Sequence, residues 1–426
     1  MNASTSLVLN THSGLLRFAT SGSVDDGKST LIGRLLVDTK GIYEDQLQAA
    51  QNYHERKGGS GVDLALLTDG LQAERDQGIT IDVAYRYFAT PRRKFIIADT
   101  PGHEQYTRNM VTGASTADLA IVLIDARKGI LPQSRRHACI SHLLEIPHLI
   151  VAINKMDLVD YSESVYQNIV ADFRLFAEKL GLHDVHYIPI SALNGDMVVT
   201  RGDNMPWYQG ETLLGTLETV SIARDLTAHP FRFPVQVVNR PQGEELHDFR
   251  GYMGRVETGV IHVGDAVTVL PSGMTSHVKA IYTPQGETDE AFAPQSVTLT
   301  LTDERDISRG DLLVKTGDTP RIEKQFEAKI CWLDGTALDF SKKYWLKHTT
   351  QTVRAVVSQL YYTLDIHSLE QKSDVGHNLQ MNEIGLVAIK VLKPLVIDAY
   401  TENRGTGSFI LIDSDTNNTV AAGMIV

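Results

Sequence analysis

The sequence has little cysteine, no excess of positive charge and no long apolar run. Only Cys139 and Cys331 occur among the 426 residues, which predicts no disulfide framework and a reducing, cytoplasmic compartment. Lys and Arg number 40 against 52 Asp and Glu, a net charge of −12, which argues against a protein held to nucleic acid by its overall field. No apolar stretch reaches the roughly 20 residues of a membrane span. The N-terminal residues lack the basic start and apolar stretch of a signal peptide.

The first half of the chain alternates strand-like and helix-like segments. Within 162–180, apolar residues recur at steps of three and four, which predicts an amphipathic helix packed on a core. Strand–helix alternation predicts a mostly parallel sheet with right-handed crossovers. The strand candidates, several of them near-continuous apolar runs, are 15–20, 94–98, 119–124, 148–153 and 186–190.

The pattern changes after residue 230, where short β-rich runs alternate with turn signals. Such runs predict antiparallel sheets closed into barrels. About 195 residues is long for one small barrel, so the sequence predicts two. We therefore expect a multidomain chain with an α/β domain over 1–225 and antiparallel β-barrel domains over 230–319 and 320–426. The β-rich runs are 235–238, 266–270, 297–302, 386–392 and 408–412.

A phosphate-binding motif follows the first predicted strand. It fits G-x-x-x-x-G-K-[ST] and leads into a helical pattern that continues from Thr30, which is the context that this motif requires. Glycines let backbone N–H groups face phosphates, and the helix N-terminus favours their negative charge. Lys28 can reach the β- and γ-phosphates, and the Ser29 hydroxyl can bind Mg²⁺. The motif consists of Gly22, Ser23, Val24, Asp25, Asp26, Gly27, Lys28 and Ser29.

Two further segments suit a nucleotide-dependent switch. Asp99 and Gly102 follow the strand at 94–98, at the carboxyl end where ligands collect in α/β sheets. We expect Asp99 to hold Mg²⁺ through a water and the Gly102 N–H to contact the γ-phosphate. Upstream, Thr80 offers a second hydroxyl ligand for Mg²⁺, although taken alone it is more typical of an ordinary strand threonine. Such segments order around the γ-phosphate and relax on hydrolysis.

The base is predicted to be guanine. Asn154, Lys155 and Asp157 follow the strand at 148–153, and an aspartate there can accept hydrogen bonds from guanine N1–H and its N2 amine. Adenine offers neither donor, so it would leave the carboxylate unpaired. Asn154 can support the loop, and the Lys155 stem can lie over the ring. Backbone N–H groups of Ser191, Ala192 and Leu193 can bond guanine O6.

Together these segments resemble the nucleotide motifs of Ras-like GTPases, in the same order. The stretches 74–80 and 99–110 are similar to translational GTPases of the elongation factor Tu type, which carry two β-barrels after an α/β P-loop GTPase domain. In those proteins the histidine after the second motif positions the attacking water. The resemblance therefore implies that His103 is catalytic together with Lys28, whereas a lone histidine is more often a surface or core residue.

A narrower resemblance covers nearly the whole chain. The segments 22–36, 69–88, 95–110, 205–208 and 231–241 look like those of the CysN family, the GTPase subunits of bacterial sulfate adenylyltransferase. The resemblance implies GTP or GDP with Mg²⁺ as cofactors. It also implies a heteromeric partner, CysD, which forms adenosine 5′-phosphosulfate and pyrophosphate from ATP and sulfate while GTP hydrolysis drives the synthesis. No membrane or nucleic-acid partner is expected.

Two rival hypotheses stay open at this point. The first is a translation factor that delivers RNA; Asp26, where elongation factors usually have histidine, and the acidic net charge weigh against it. The second is a scaffold that binds GTP and hardly hydrolyses it, which the presence of Thr80 and His103 disfavours. The long stretch 38–70 is either a partner-sensing loop or an ordinary insertion. A small basic cluster near Trp345 is more typical of a solvated face than of a nucleic-acid site; it comprises Lys342, Lys343, Lys347 and His348.

Overall fold

The structure, a computed structural model, forms two compact units. The first comprises Met1–Ile222 with Ile366–Leu369, and the second Ala223–Asp365 with Glu370–Val426. The predicted switch residues 74–79 and most of 38–70 lie outside the described part of the chain. None of the described helices combines the length and apolar character that crossing a membrane requires. The described residues are 14–42, 44–45, 47–48, 51–52, 64–67, 80–222, 226–241, 249–366, 368–373 and 378–426.

The first unit is built on a six-stranded sheet in the order β2-β3-β1-β4-β5-β6. Neighbouring strands run parallel except β2, which is antiparallel to β3. Every residue of β4 is buried, as expected for a strand covered on both faces. All five predicted strands are confirmed to within two residues at either end. The strands are β1 Leu15–Gly22, β2 Ala84–Ala89, β3 Lys94–Asp99, β4 Leu119–Asp125, β5 His148–Asn154 and β6 Val185–Pro189.

Five described α-helices belong to this unit. The predicted helix at 162–180 is α4, which begins after Ser162, whose Oγ accepts the Val165 N–H at 3.4 Å. It ends at Gly181, whose φ of 79° suits glycine. Its buried face includes Phe173 and Phe176, so the predicted apolar stripe is confirmed. The helices are α1 Lys28–Asp38, α2 Thr107–Ala114, α3 Pro132–Leu143, α4 Glu163–Leu180 and α5 Leu213–Thr219.

Edge strand β2 was missed by the sequence analysis. Its side chains alternate in exposure, with Tyr85 and Tyr87 on the open face and Phe88 buried. Phe88 stacks on Phe95 of β3 with ring centroids 4.5 Å apart. A polar strand with two exposed tyrosines carries too weak an apolar pattern to stand out from a loop.

The second unit begins with a closed six-stranded antiparallel barrel. Its strands follow the order β10-β15-β7-β8-β14-β11, and β11 pairs with β10 to close the ring. Phe231, Phe233 and Tyr252 lie in its core. The strands of this part, including three short ones outside the ring, are β7 Phe233–Asn239, β8 Gly251–Arg255, β9 Val260–His262, β10 Ala266–Leu270, β11 Met274–Thr283, β12 Gly286–Thr288, β13 Glu290–Phe292, β14 Ser296–Leu301 and β15 Leu312–Lys315.

A second closed six-stranded barrel follows in the same unit. Its order is β17-β21-β22-β16-β20-β18, with β18 pairing back to β17. The predicted fold class, an α/β domain followed by two antiparallel barrels, is therefore confirmed. Its elements are β16 Arg321–Trp332, β17 Tyr344–His348, β18 Gln351–Leu364, β19 Gln371–Lys372, β20 Ile384–Ile397, the short helix α6 Arg404–Gly407, β21 Ser408–Asp413 and β22 Thr419–Ile425.

A buried polar contact, the barrel seam of Arg232, Asp398 and Thr406, joins the two barrels. The Arg232 guanidinium donates to both Asp398 oxygens at 2.9 and 3.1 Å, and the Thr406 hydroxyl donates to Asp398 Oδ2 at 2.5 Å. Burial alone would raise the pKa of Asp398, but these donors hold it below its usual value. Beside the seam, the Asn403 amide donates to Thr258 Oγ1 at 3.0 Å.

Two members of the predicted basic cluster are used inside this unit. His348 is buried, and its Nε2 lies 2.7 Å from the Thr406 carbonyl oxygen. Lys342 pairs with Asp413 at 2.6 Å and with Asp415 at 3.0 Å. Burial lowers the pKa of His348, which therefore adds no positive charge to this surface near neutral pH.

Candidate nucleotide-binding site

The phosphate loop connects β1 to α1. Gly27 has a φ of 93°, and a Cβ at this position would lie 2.5 Å from Asn154 Nδ2. Only glycine fits both the backbone conformation and this close approach. The loop then delivers Lys28 as the first residue of α1, with Ser29 and Thr30 in the first helical turn. Val24 and Asp25 lie at the outer part of the loop.

Asp26 closes the loop from inside. Its Oδ2 accepts the Ser23 N–H at 2.6 Å, and its own N–H donates to the Ser23 carbonyl at 3.3 Å. The side chain is buried, and burial raises the pKa of Asp26 against the lowering effects of the Ser23 bond and the Lys28 charge. Within the described residues, Asp26 Oδ1 and Ser23 Oγ are buried without a hydrogen-bond partner.

Lys28 lies across the loop. Its Nζ donates to the carbonyl oxygens of Gly22 at 3.1 Å and Ser23 at 2.9 Å. Burial lowers the pKa of Lys28, and the nearby carboxylates of Asp99 and Asp26 counter this. A Cβ at Gly102 would overlap Lys28 Nζ and lie 2.5 Å from the Gly22 carbonyl oxygen. The first two predicted motifs therefore meet at one ammonium group.

Asp99 ends β3 beside the phosphate loop. In the β1–β3 register it pairs with Thr20, whose hydroxyl lies 3.5 Å from Asp99 Oδ1. Thr80 is half-buried shortly before β2. The neighbouring Ile81 carbonyl accepts a hydrogen bond from Asn109 of α2 at 2.7 Å. This bond ties the residue after Thr80 to the helix that follows the Asp99 motif.

Asn154 joins the base motif to the phosphate loop. Its Nδ2 donates to the Asp26 carbonyl at 2.7 Å, and its Oδ1 accepts the Ala192 N–H at 3.0 Å. Lys155 Nζ donates to the Asp25 carbonyl and lies 3.1 Å from Asp125 Oδ2. The side chain of this one asparagine thus contacts two loops that are more than 160 residues apart in sequence.

The remaining base-site residues are also close together. The Ser191 hydroxyl donates to Asp157 Oδ1 at 2.6 Å. The Ser191 N–H donates to the Asp196 carbonyl at 3.1 Å, and the Ala192 N–H is taken by Asn154. Of the three predicted O6 donors, the Leu193 N–H is therefore the one without a hydrogen bond to the described residues.

Two residues of the site were missed by the sequence analysis. The first, Asp125, ends β4. Its carboxylate accepts hydrogen bonds from Arg127 Nε at 3.0 Å and from Arg127 Nη2 at 2.6 Å. Burial would raise the pKa of Asp125, but Arg127 and Lys155 hold it well below its usual range. The sequence did carry a signal for Asp125, because an aspartate that ends a buried strand of an α/β sheet lies where ligands bind. The second, Arg34 of α1, donates to the carbonyls of Ala192 at 3.2 Å and Leu193, and nothing local in the sequence indicates this.

His103 directly follows the Asp99 motif and precedes the short turn Glu104–Tyr106. Its Nδ1 accepts the Gln105 N–H at 3.3 Å, and its ring centroid lies 5.9 Å from that of Tyr106. With Nδ1 occupied, Nε2 is the ring nitrogen to which no described residue is seen to hydrogen-bond. Because Gly102 packs against Lys28, His103 is one residue away from the phosphate loop contact.

Family models match along the chain. The Elongation factor Tu GTP binding domain matches residues 13–229, Elongation factor Tu domain 2 matches 252–314, and the GTP-eEF1A C-terminal domain-like model matches 325–426. Together with the fold and the joined motifs, these matches define the chain as a GTPase of the elongation factor Tu type, which binds GTP and GDP.

Curated relatives narrow the family. The chain is 56% identical over 414 residues to Sulfate adenylyltransferase subunit 1 of Cellvibrio japonicus, covering 97% of this chain and 86% of the relative. It is 54% identical to the protein of that name in Bacteroides fragilis, with the same coverage. It is 55% identical to the Bifunctional enzyme CysN/CysC of Mycobacterium tuberculosis, covering 97% of this chain and 67% of the relative. The chain belongs to the sulfate adenylyltransferase subunit 1 (CysN) family, as the sequence predicted.

Proposed function

We propose that this chain is the GTP-hydrolysing subunit of a sulfate adenylyltransferase. In this proposal, GTP hydrolysis here drives the synthesis of adenosine 5′-phosphosulfate and pyrophosphate from ATP and sulfate in a partner subunit, CysD. The observation that carries it is 56% identity across 97% of the chain to a relative named as subunit 1 of that enzyme. We also propose domain boundaries near residues 225 and 320. The second boundary is supported by the gap between two strands, since β15 ends at Lys315 and β16 begins at Arg321.

The proposed binding of the GTP phosphates rests on Lys28 and the two carbonyl oxygens to which it donates. When GTP binds, phosphate oxygens replace the carbonyls of Gly22 and Ser23 as partners of the ammonium. A charged group already aimed into the loop needs little reorganisation to stabilise charge that develops during phosphoryl transfer. Gly102 packs against Lys28, and in this proposal its N–H meets the γ-phosphate and reports its presence.

Mg²⁺ fits the donor set at this place. Hydroxyls and a carboxylate are ligands that Mg²⁺ accepts, and it commonly takes most of its other ligands from phosphates and water. The described residues contain no group of three or more His, Cys, Asp or Glu that could hold a metal by themselves. Ser29, Thr80 and Asp99 would hold Mg²⁺, which neutralises charge on the β- and γ-phosphates.

Catalysis is assigned to His103 together with Lys28. The Gln105 contact leaves His103 Nε2 to orient the attacking water in line with the γ-phosphate. We expect His103→Ala to reduce single-turnover GTP hydrolysis about a hundredfold while GTP affinity stays within a few-fold, because an orienting group acts on the reaction step. A matched control is His186→Ala, an exposed histidine elsewhere in the unit. Equal hydrolysis by His103→Ala and the parent chain would contradict the assignment.

The coupling is tested with the complex of this chain and the small subunit. Steady-state GTP turnover should rise when the partner, ATP and sulfate are all present, and adenylylsulfate should form in proportion. Omitting sulfate is the matched control, because it leaves both nucleotides in place. Turnover that stays flat across these additions, with no adenylylsulfate formed, would rule out the proposed function.

A further inference from the structure

Arg34 is the side chain of the nucleotide unit whose role the proposed chemistry does not yet use. It lies on α1, six positions after Lys28, so it extends from the same helix that presents the phosphate-binding ammonium. Its Nε donates to the Ala192 carbonyl at 3.2 Å, and its Nη2 donates to the Leu193 carbonyl. A third, weaker contact joins Nη1 to Asp38 Oδ1 at 3.4 Å.

The Ala192 carbonyl, which accepts from Arg34, sets the direction of one peptide group in the base loop. In a trans peptide the C=O and the following N–H point in opposite directions. Because Arg34 holds the Ala192 carbonyl, the Leu193 N–H of the same peptide group is directed away from Arg34. This is the predicted O6 donor that the described residues leave without a hydrogen bond, since Ser191 and Ala192 donate inside the protein.

The guanidinium fork suits this task better than any other side chain. Its planar donors have fixed relative directions, so two adjacent carbonyls are held at once with little loss of side-chain freedom per bond. The Arg34 side chain is about one-fifth exposed, so these bonds are only partly screened by water. Asn154 holds the other side of the loop through the Ala192 N–H.

We propose that Arg34 is a positioning residue for base selection, which fixes the Ala192–Leu193 peptide so that the Leu193 N–H meets the O6 of a 6-oxopurine nucleotide. The inference rests on the guanine site of the proposed function and adds the residue that aims one of its donors. Arg34 itself does not touch the base.

The test compares the affinities of GTP, ITP and ATP for the full chain, measured by competition with a fluorescent GDP. GTP and ITP share O6, whereas ATP carries an amine there, which cannot accept a hydrogen bond. Arg34→Ala should weaken GTP and ITP in parallel, by about tenfold, because one aimed donor is lost from both. ATP affinity should stay level or rise, because a looser loop rejects its amine less strictly.

Further variants distinguish the positioning role of Arg34 from its contributions to packing and charge. Arg34→Lys keeps the charge but cannot hold two carbonyls in a fixed fork, so it should lose most of the GTP and ITP affinity that Arg34→Ala loses. Asp38→Asn removes the negative charge beside Arg34 but keeps an acceptor oxygen, and it should change no nucleotide affinity. Arg92→Ala removes an exposed arginine of the same unit and should also change none.

Each contrary result has a distinct meaning. An equal fall for GTP, ITP and ATP in Arg34→Ala would overturn the proposal, because it would place the effect on the phosphate loop. Unchanged GTP affinity would overturn it as well. A parent chain that does not prefer GTP to ATP would overturn the guanine site itself, which is a separate failure from a normal parent with an unaffected variant.

Discussion

Buried polar groups occur in both units, but their hydrogen bonding differs. In the barrel seam, the Asp398 carboxylate accepts hydrogen bonds from two nitrogens of Arg232 and from the Thr406 hydroxyl. In the phosphate loop, Asp26 receives one short bond from Ser23, and its second oxygen has no partner among the described residues. The pKa of Asp398 is lowered, whereas that of Asp26 is raised.

The number of hydrogen bonds that each buried carboxylate accepts indicates whether it stabilises the fold or serves a binding site. A carboxylate with full donor coverage is stable in its charged form and holds elements together, because its desolvation is offset. A buried group with open bonding capacity costs stability, and such groups concentrate where a ligand or a reaction uses them. The comparison therefore predicts that charge removal in the loop affects turnover, and that charge removal in the seam affects stability.

The largest effect is expected from Lys28→Ala. Losing the ammonium that faces the phosphates should lower single-turnover GTP hydrolysis by about a thousandfold. The thermal midpoint of unfolding should change little, because the desolvation cost relieved by removing a buried ammonium offsets the favourable interactions with Asp99 and Asp26 that are lost. Lys342→Ala, which removes a paired lysine from the second unit, should leave hydrolysis unchanged. Hydrolysis by Lys28→Ala at the parent rate would refute the placement of the phosphates.

The reverse pattern is expected from Arg232→Ala. It leaves Asp398 buried without its main partner, which should lower the free energy of unfolding by about 3 kcal/mol. Intrinsic GTP affinity should be unaffected, as measured on the same sample. The double variant Arg232→Met with Asp398→Leu should be more stable than Arg232→Ala, since no unpaired charge remains. If both variants were equally unstable, lost packing and not charge would explain the seam.

A smaller effect is expected from Asp157→Asn in the base site. The amide presents a donor where guanine also donates, so GTP affinity should fall by about a hundredfold while xanthosine triphosphate gains. Competition binding with both nucleotides measures the exchange. Asp160→Asn, a nearby residue of the same loop, serves as the control and should keep the preference for GTP. Retained GTP preference in Asp157→Asn would remove Asp157 from base selection.

The smallest effect concerns pH and compares one buried histidine from each unit. Burial, with smaller contributions from Lys28 and Arg136, lowers the pKa of His137 to about 3 from 6.5, and burial also lowers that of His348. Both histidines are neutral when folded, so their stabilising effect is complete above the unfolded pKa of 6.5. It is lost as the pH falls below that value, because the unfolded chain then takes up protons.

Each histidine should contribute up to about 1.4 kcal/mol of lost stability per pH unit in this window. Urea unfolding at about pH 7.5 and about pH 5 measures the loss. His137→Gln should reduce the pH dependence of the first unit, and His348→Gln that of the second. The exposed His262, replaced in the same way, is the control. A pH dependence that both buried-site variants leave intact would contradict the assignment.

Local patterns predicted five of the six strands of the mostly parallel sheet, the helix α4 and the phosphate loop, because apolar periodicity and the glycine–lysine spacing are contained in short windows. They did not predict the base-loop contact of Arg34 or the partner of Arg232. These contacts span 158 and 166 residues of sequence, so only the folded sheet and barrels bring them together. The sequence also did not show which backbone N–H groups of the base loop are already hydrogen-bonded. The Ser191 N–H donates to Asp196 and the Ala192 N–H to Asn154, and both contacts depend on the folded loop.

The two hydrogen bonds of Asn154 have a consequence for how the nucleotide binds. Because its amide is bonded to both the phosphate loop and the base loop, the two loops are held at a fixed separation before any ligand arrives. In the proposed site a guanine nucleotide is therefore a bivalent ligand with its two ends joined by the ribose, and the first end to bind should raise the effective concentration of the second. Guanosine and pyrophosphate added as separate molecules lack this advantage, which only the intact nucleotide has.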